Sequence, residues 1–368
     1  MNRKMSKWNE YAIVQEFDPG NKRMIAVSDI HANLPYFKGL LEKISFSDDD
    51  ELMIVGDFLE KGQHSLETLR FIMHLCENGN CHVLCGNCDS WADALDTERV
   101  YWSTRMVEYM TDRKCGLMWD MLHEMGVEVT PELDFAAFVP ELERRYAAEW
   151  KFLRDLPHVI ETPRCTFVHG GIKPGIDVHT MHGGECMKFD NFMSYGYSFD
   201  KWVVVGHWPV MLYIPDHVCA NPIIDREHHI VSIDGGCTLK DDGQLDGLII
   251  PPEGDFSFCA YDSFPVKTVR TPQHGGGRSY YIRWGDNDVQ VLRRGEEFSL
   301  CRHVRTGYEM EILTKYLYSD EEFCKCNDST DLVLELKAGD KVSVVEETSR
   351  GCLVKHNGTS GWYLGELI

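Results

Sequence analysis

The 368-residue chain has no long hydrophobic run. No segment approaches the roughly 20 uninterrupted apolar residues that a membrane-spanning helix requires. The N-terminal stretch MNRKMSKWNEYAIVQ also has no apolar segment typical of an export signal. We therefore expect a cytoplasmic protein that makes no contact with a membrane.

Positive charge is scarce. The chain has 37 Lys and Arg against 59 Asp and Glu, which gives a formal net charge of −22 at pH 7. Binding to a nucleic-acid polymer depends on clustered Lys and Arg, so we exclude such a polymer as the main partner. With 43% hydrophobic and 26% charged residues, the composition is that of a folded globular chain. The length accommodates about two or three domains.

Disulfides are not expected, although the chain has 14 cysteines, because these are scattered along it. Several lie inside apolar, strand-like segments, as Cys165 and Cys237 do. Without an export signal, buried reduced thiols are expected rather than disulfides. The spacing of Cys81, Cys85 and Cys88 does not fit a zinc knuckle.

Six apolar runs end at polar residues. The residues at these ends are Asp29 and His31, Asp57, Asn87, His169, His207 and Asp234. Runs rich in Val, Ile and Leu are typical of strands buried on both faces. Helix-like patterns follow the first two runs, and Ser65 is a candidate N-cap for the second helix. Alternating strands and helices predict an α/β fold.

These polar residues are expected to meet, because ligands bind outside the carboxyl ends of strands in α/β sheets. Asp, Asn and His side chains together suit Mn, Fe, Zn or Co and suit calcium poorly. A carboxylate shared by two ions about 3.5–4 Å apart would let them clamp a phosphoryl group and activate a water molecule. Any one of these residues could instead cap a helix or fill the core, so the prediction depends on their joint occurrence.

Five motifs in order give the chain a family resemblance. They are D-x-H at Asp29–His31, G-D-x-x-x-x-G at Gly56–Gly62, G-N at Gly86–Asn87, H-G-G at His169–Gly171 and G-H at Gly206–His207. Over roughly residues 22–240 the chain resembles the calcineurin-like metallophosphoesterases. The stretch GDFLEKGQHSLETL is most similar to the phosphoprotein (Ser/Thr) phosphatases. The resemblance implies a four-layer αββα sandwich.

The resemblance also implies a site for two divalent metal ions, with Mn, Fe, Zn or Co as the expected elements. Asp29, His31 and Asp57 would hold the first ion. Asp57 would bridge to the second ion, which Asn87, His169 and His207 would complete. The family's chemistry is in-line attack of a metal-activated hydroxide on phosphorus.

The chain departs from the family pattern beside this site. Cys88 replaces the His that protonates the leaving group, Glu60 replaces the Asp that orients this His, and Lys61 replaces a phosphate-binding Arg. The Cys88 thiol could donate a proton or could simply pack beside the site. Our candidate catalytic residues are Asp57, Asn87, Cys88, Glu60 and Lys61. His64, His158 and His182 are alternative proton donors.

The remaining segments predict the domain organisation. Residues 90–156 have apolar residues at helical spacing and are expected to form a helical insert within a catalytic domain of residues 1–300. Residues 309–368 have short alternating strands separated by Gly-containing turns, and they resemble a small all-β SH3-like barrel. Such a barrel would bind a peptide or a cell-wall fragment, or would pack on the catalytic domain.

The sequence thus predicts a dinuclear-metal phosphoesterase that hydrolyses phosphomonoesters, with phospho-Ser/Thr proteins as plausible substrates. A phosphodiesterase or dinucleoside-polyphosphate hydrolase is the alternative, and Cys88 favours it. A non-catalytic scaffold is a third reading, which the intact set of six metal ligands opposes.

Overall fold

The computed structural model describes residues 6–91 and 99–368. These residues form two compact units. The first consists of residues 6–209, 222–239 and 243–262, and the second of residues 210–221, 240–242 and 263–368. Within the described residues, none of the helices is both long enough and apolar enough to cross a membrane.

The described chain is rich in short strands. In chain order they are β1 (Val14–Glu16), β2 (Arg23–Val27), β3 (Asp50–Val55), β4 (Cys81–Leu84), β5 (Val159–Glu161), β6 (Cys165–Val168), β7 (Trp202–Val205), β8 (Val218–Cys219), β9 (Ile223–Asp225), β10 (Ile230–Ser232), β11 (Leu245–Ile250), β12 (Ser257–Tyr261), β13 (Val266–Thr268), β14 (Tyr281–Ile282), β15 (Asp288–Arg293), β16 (Phe298–His303), β17 (Glu309–Leu313), β18 (Phe323–Lys325), β19 (Ser329–Thr330), β20 (Lys341–Thr348), β21 (Gly351–His356) and β22 (Thr359–Tyr363).

The α-helices of residues 6–91 and 99–368 lie in the first unit. They are α1 (Leu34–Ile44), α2 (Ser65–Glu77), α3 (Arg99–Arg113), α4 (Leu117–Glu124), α5 (Phe135–Arg145), α6 (Ala147–Asp155) and α7 (Gly183–Met187). Short 3₁₀ helices lie at Val178–Thr180, Phe192–Tyr195, Val210–Tyr213 and Thr314–Tyr316.

The first unit contains two mixed sheets. Their strand orders are β12-β11-β2-β3-β4 and β1-β5-β6-β7-β10-β9. The strands that end at the predicted site are parallel to their neighbours, both in the β2, β3 and β4 group and in the β6, β7 and β10 group. Parallel strands bring their carboxyl ends to the same edge, so each sheet delivers its polar residues together.

Alternate residues of the strands face two different cores. Met24, Met53 and Val55 of the first sheet share one core with Phe167 and Val204 of the second sheet. The residues next to these in sequence face outward. Those of the first sheet pack in a core with the helices, and those of the second sheet pack in a core with residues 178–199. Burial on both faces explains the continuous apolar runs of these strands.

Helices α1 and α2 cover the outer face of the first sheet. In α1, Leu34, Phe37, Leu40, Leu41 and Ile44 are buried at the three- and four-residue spacing of one helix face. The α2 helix begins at Ser65, and His64 is its N-cap. The Ser65 hydroxyl therefore does not cap the helix as predicted. It accepts a hydrogen bond from the backbone N–H of Glu60 at 3.1 Å instead.

The predicted insert contains the helices α3 to α6. Buried side chains such as Met110, Met121 and Trp150 join the core formed by α1 and α2, so the insert extends the helical layer of the first unit. Residues 92–98 of the predicted range lie outside the described residues.

The second unit is built of β-strands. Its sheets have the orders β13-β20-β21-β22-β8, β17-β16-β15-β18 and β14-β19. Within its described residues the sheets are open and no closed barrel is found, so the SH3-like barrel is not confirmed. The unit also groups residues 263–308 with the C-terminal segment. The predicted division into domains of residues 1–300 and 309–368 stays a prediction.

Candidate metal centre

The two sheets of the first unit bring their polar strand ends together. Asp29 follows β2 and His207 follows β7, and the backbone N–H of His207 donates to Asp29 Oδ2 at 2.9 Å. Asp57 follows β3 and His169 follows β6, and their Oδ1 and Nε2 atoms lie 3.2 Å apart. Residues more than 100 positions apart in the chain therefore share one buried cluster.

Among the residues that the structure describes, two overlapping groups of side chains have the spacing of a metal site. Asp57, His169 and His207 each offer a ligand atom, and these atoms lie within 4.8 Å of one another. The second group is His31, Asp57 and Cys88, at the same spacing. Asp57 belongs to both groups, which is the position expected of a bridging carboxylate.

Asp29 lies beside these groups. Its Oδ1 atom is 3.7 Å from His31 Nε2. Asp234, at the end of β10, is fully buried, and its charge contributes to the raised pKa of Asp29. The predicted residues Asp29, His31, Asp57, His169 and His207 thus all lie in this cluster, and Asp234 is close to it.

Hydrogen bonds fix which nitrogen of each histidine is free to bind an ion. Nδ1 of His169 lies 2.9 Å from the Val55 carbonyl oxygen, so it carries the proton and leaves Nε2 as a ligand. Nδ1 of His31 lies 3.3 Å from the Leu59 carbonyl oxygen and leaves Nε2 free in the same way. The ring of His207 is turned the other way, because its Nε2 lies 2.7 Å from Asp190 Oδ1.

Two buried polar atoms in the cluster support metal binding. Within the described part of the chain, Asn87 Oδ1 has no hydrogen-bond partner, and His169 Nε2 lies 3.2 Å from Asp57 Oδ1 without the geometry of a hydrogen bond. A buried polar atom without a partner costs about 1–3 kcal/mol, and such atoms need an explanation in a folded protein. An amide oxygen and an imidazole nitrogen are both good ligands for a divalent ion. The residues present therefore fit the two-metal site.

The pKa values show how strongly these charges interact. Burial lowers the pKa of His31 to about 4, although the carboxylate of Asp57 opposes this shift. Burial also disfavours a charged His169, but the carboxylates of Asp57 and Asp29 outweigh it and raise its pKa to about 10. Burial and the neighbouring Asp234 raise the pKa of Asp29. Closely packed buried carboxylates of this kind are stabilised in their ionised form by a cation.

Glycines allow the strand ends to approach one another. Gly56 has φ +79°, and a Cβ atom there would lie 2.8 Å from both the Gly86 Cα and the His169 Nδ1. A Cβ atom at Gly86 would overlap Asp57, and one at Gly206 would overlap Ser28 and Asp29. The glycine that precedes each ligand in the G-D, G-N and G-H motifs is thus required by close packing.

Cys88 and Asp89 form the turn after β4. The backbone N–H of Cys88 donates to Asp57 Oδ1 at 2.7 Å, and the half-buried thiol accepts a hydrogen bond from Asn87 Nδ2 at 3.3 Å. Burial and the charge of Asp57 raise the pKa of the Cys88 thiol. In the metal-free protein this thiol is protonated at neutral pH.

Asp89 is a functional residue that sequence reasoning did not select. Its fully buried carboxylate accepts backbone N–H groups of Asp57 at 2.7 Å, Gly86 at 2.8 Å and Leu59 at 3.1 Å. These bonds tie the turn after β3 to the turn after β4. The only signal in the sequence is its position directly after Cys88.

The remaining predicted residues, Glu60 and Lys61, lie in the turn after β3. Glu60 is buried and accepts hydrogen bonds from the Tyr109 hydroxyl and the Leu117 backbone N–H, both at 2.8 Å. These partners belong to the helical insert, so Glu60 contacts the insert and not the ligand groups. The Lys61 side chain is half-buried, and its positive charge opposes the rise in the pKa of Cys88 and adds to the fall in the pKa of His31.

The three histidines considered as alternative proton donors have partners elsewhere. His158 is fully buried, its Nδ1 accepts the Ile13 N–H at 3.0 Å, and its Nε2 donates to the Lys7 carbonyl oxygen. His182 Nδ1 lies 3.0 Å from the Asn9 carbonyl oxygen. His64 Nδ1 lies 3.4 Å from Glu67 Oε2.

Comparison with known proteins agrees with this geometry. The family model described as calcineurin-like phosphoesterase matches residues 22–224. The chain is 24% identical over 258 residues to the asymmetrical bis(5'-nucleosyl)-tetraphosphatase of Halalkalibacterium halodurans, a match that covers 61% of this chain and 89% of that protein.

A second curated relative is the symmetrical bis(5'-nucleosyl)-tetraphosphatase of Pseudomonas fluorescens, with 28% identity over 169 residues. This match covers 45% of the chain and 55% of the relative, so the chain spans about half of that protein's length. Among solved structures, a candidate diadenosine tetraphosphatase has a TM-score of 0.45 and 19% identity, with 69% of this chain and 100% of that chain covered.

Proposed function

Because the chain belongs to the calcineurin-like phosphoesterase family, we propose that it is a two-metal hydrolase that cleaves the phosphoanhydride bonds of dinucleoside polyphosphates. The observation that carries the proposal is Cys88, which stands beside His31 and Asp57 where the sequence resemblance predicts a proton-donating His. The names of two curated relatives, both bis(5'-nucleosyl)-tetraphosphatases, favour the same substrate class.

The leaving group decides between the two predicted substrate classes. Protonation by a positioned general acid contributes about 10²–10⁴-fold to a rate, and this matters most when the leaving group is strongly basic. A serine alkoxide is such a group. A nucleotide phosphate, whose last ionisation has a pKa of about 6, leaves readily without a proton. Hydrolysis of an anhydride is therefore the reaction that tolerates Cys88 best.

The residues of the site have separate roles in this proposal. Asp29, His31 and Asp57 would hold one ion, and Asp57, Asn87, His169 and His207 would hold the other. Two bound divalent ions would neutralise phosphate charge and lower the pKa of a bound water molecule. Lys61 attracts the polyphosphate as a point charge, without the two-pronged contact that an Arg would make.

Two other predictions stay as secondary proposals. Hydrolysis of phosphomonoesters, including phospho-Ser/Thr, is supported by the likeness of residues 56–69 to the phosphoprotein phosphatases. Binding of a peptide or a cell-wall fragment by residues 309–368 is supported only by the resemblance of that segment to SH3-like domains.

A substrate panel tests the proposal. The Mn²⁺-loaded protein is assayed for kcat/KM on bis(5'-adenosyl) tetraphosphate, para-nitrophenyl phosphate and a phosphoserine peptide. We expect the dinucleotide to be at least about tenfold better than the peptide, because its leaving group needs no general acid. A higher kcat/KM on the peptide would overturn the proposal.

The same panel on Cys88→His tests the reason for the preference. Restoring an imidazole should raise activity on the peptide by about tenfold or more and change activity on the dinucleotide little. Cys115→Ser is the matched control, because its buried thiol contacts the Lys61 carbonyl oxygen from outside both ligand groups. Equal changes on all substrates, with the metal content preserved, would show that the residue at position 88 does not set the preference between leaving groups.

A further inference from the structure

The first metal position is surrounded by an unusual set of side chains. The group that meets the spacing of a metal site there is His31, Asp57 and Cys88. Ligand atoms that each lie about 2.0–2.3 Å from one ion are at most about 4.6 Å from one another. The ligand atoms of these three residues lie within 4.8 Å of one another, which is close to that value. The sulfur atom therefore lies where a ligand of the first ion would lie.

The hydrogen bonds of the turn hold the Cys88 side chain in this place. Its backbone N–H is bound to Asp57 Oδ1 at 2.7 Å, so the residue cannot move away from the shared carboxylate without losing that bond. Its sulfur accepts the Asn87 Nδ2 hydrogen at 3.3 Å, a second contact that restrains the side chain.

The same hydrogen bond orients the amide of Asn87. With Nδ2 held by Cys88, the opposite end of the amide is Oδ1, the buried atom that has no hydrogen-bond partner among the described residues. The Cys88 side chain thus lies within the first group of candidate ligands and also holds the Asn87 amide in place.

We propose that Cys88 Sγ is a direct ligand of the first metal ion, together with His31 and Asp57. As the sulfur–metal bond forms, the thiol proton passes to solvent and the sulfur binds as a thiolate. Because thiolate is a soft ligand, the first position should select Zn, Fe or Co over Mg or Mn. This inference does not depend on which phosphate compound the protein hydrolyses.

X-ray absorption of the zinc-loaded full-length protein tests the proposal directly. A thiolate ligand contributes a sulfur neighbour at about 2.3 Å, distinct from nitrogen and oxygen neighbours at about 2.0–2.2 Å. We expect one sulfur for every two zinc ions in the wild type. A shell of nitrogen and oxygen neighbours alone would overturn the proposal, and this result requires no variant.

Substitution then assigns the sulfur to Cys88. The sulfur neighbour, and the thiolate-to-cobalt charge-transfer absorption of the cobalt-loaded protein, should persist in Cys115→Ser and disappear in Cys88→Ser. Circular dichroism and the thermal midpoint establish that both variants are folded. A sulfur signal that survives in folded Cys88→Ser would contradict the assignment.

Discussion

At the scale of single residues, the candidate metal centre is built from backbone conformations that most side chains avoid. Asp29, His31, Asp57 and His207 have φ values of 53°, 47°, 50° and 67°, all in the left-handed region. Each such residue costs of order 1–3 kcal/mol, and clusters of them occur at active sites and ligand clamps. The surrounding hydrogen bonds, including those of Asp89, hold this arrangement in place.

Asp190 is a positioning residue that acts through His207. Its Oδ1 accepts from His207 Nε2 at 2.7 Å, which leaves Nδ1 of the ring free for the ion. Carboxylates of this kind raise the basicity of a ligating histidine, and their loss costs about 10–100-fold in metal affinity. We expect Asp190→Asn to weaken metal binding by about that factor, measured by competition with a chelator.

A matched control separates this effect from a general loss of surface charge. Asp200 is exposed and lies in the same unit, so Asp200→Asn should leave metal affinity unchanged. If the affinities of the two variants agreed within twofold, Asp190 would have no part in orienting His207.

At the scale of secondary structure elements, the helical insert is tied to the turn after β3 through Glu60. The Tyr109 hydroxyl of α3 and the Leu117 N–H of α4 both donate to its carboxylate. Gly116 makes this approach possible, because a Cβ atom there would overlap Glu60 Oε2. The insert and the turn after β3 therefore hold each other in place.

The Glu60 contact predicts a dependence of stability on pH. Burial raises the pKa of Glu60 from 4.5 to about 7, and Asp120 adds to this shift, while Leu117, Tyr109 and Lys61 oppose it. Between these two pH values the folded state keeps a proton that the unfolded state has lost. Stability of the metal-free protein should therefore fall as the pH rises from about 4.5 to 7.

Glu60→Gln should remove this part of the pH dependence. Its amide can accept from Leu117 and donate to Tyr109, and it carries no titratable proton. Between pH 5 and pH 8, we expect the free energy of unfolding of the variant to rise by about 1–3 kcal/mol relative to that of the wild type, measured by urea unfolding. Glu67→Gln, at an exposed position on α2, is the control and should follow the wild type. Parallel pH profiles of Glu60→Gln and wild type would contradict the assignment.

At the scale of the whole molecule, the charge of −22 opposes the approach of an anionic phosphate compound. The candidate centre itself contains several buried carboxylates, so it adds negative charge that the Lys61 side chain beside it does not balance. Bound divalent ions would reverse the local sign. The acidic composition of the chain therefore makes bound metal ions necessary for attracting a phosphate compound to the site.

The fold was predictable where burial determines the sequence pattern. All six apolar runs are strands, because strands covered on both faces must be apolar throughout. The helices of the insert were predictable from the spacing of residues such as Met106, Met110 and Trp150. The pairing of strands into two sheets was not predictable from the runs themselves, since Val and Ile residues indicate burial but not the neighbouring strand.

At the candidate site, the sequence marks the residues at the strand ends and not the residues that support them. Asp29, Asp57 and His169 stand at strand ends, where a local pattern marks them. Glu60 finds its partner Tyr109 at a distance of 49 positions, and Asp190 reaches His207 from an irregular turn 17 positions earlier. No periodicity or motif connects such residues, because the contacts arise only when the elements pack.

The central claim is that the strand ends of the first unit hold two divalent ions around Asp57, and metal content measures this most directly. The purified protein is loaded with Zn²⁺, freed of loose metal by desalting, and analysed by mass spectrometry beside Asp57→Asn and the exposed control Asp48→Asn. We predict two ions per chain in the wild type and in the control, and at most one in Asp57→Asn. Fewer than two tightly held ions in the wild type, or two in Asp57→Asn, would contradict the account.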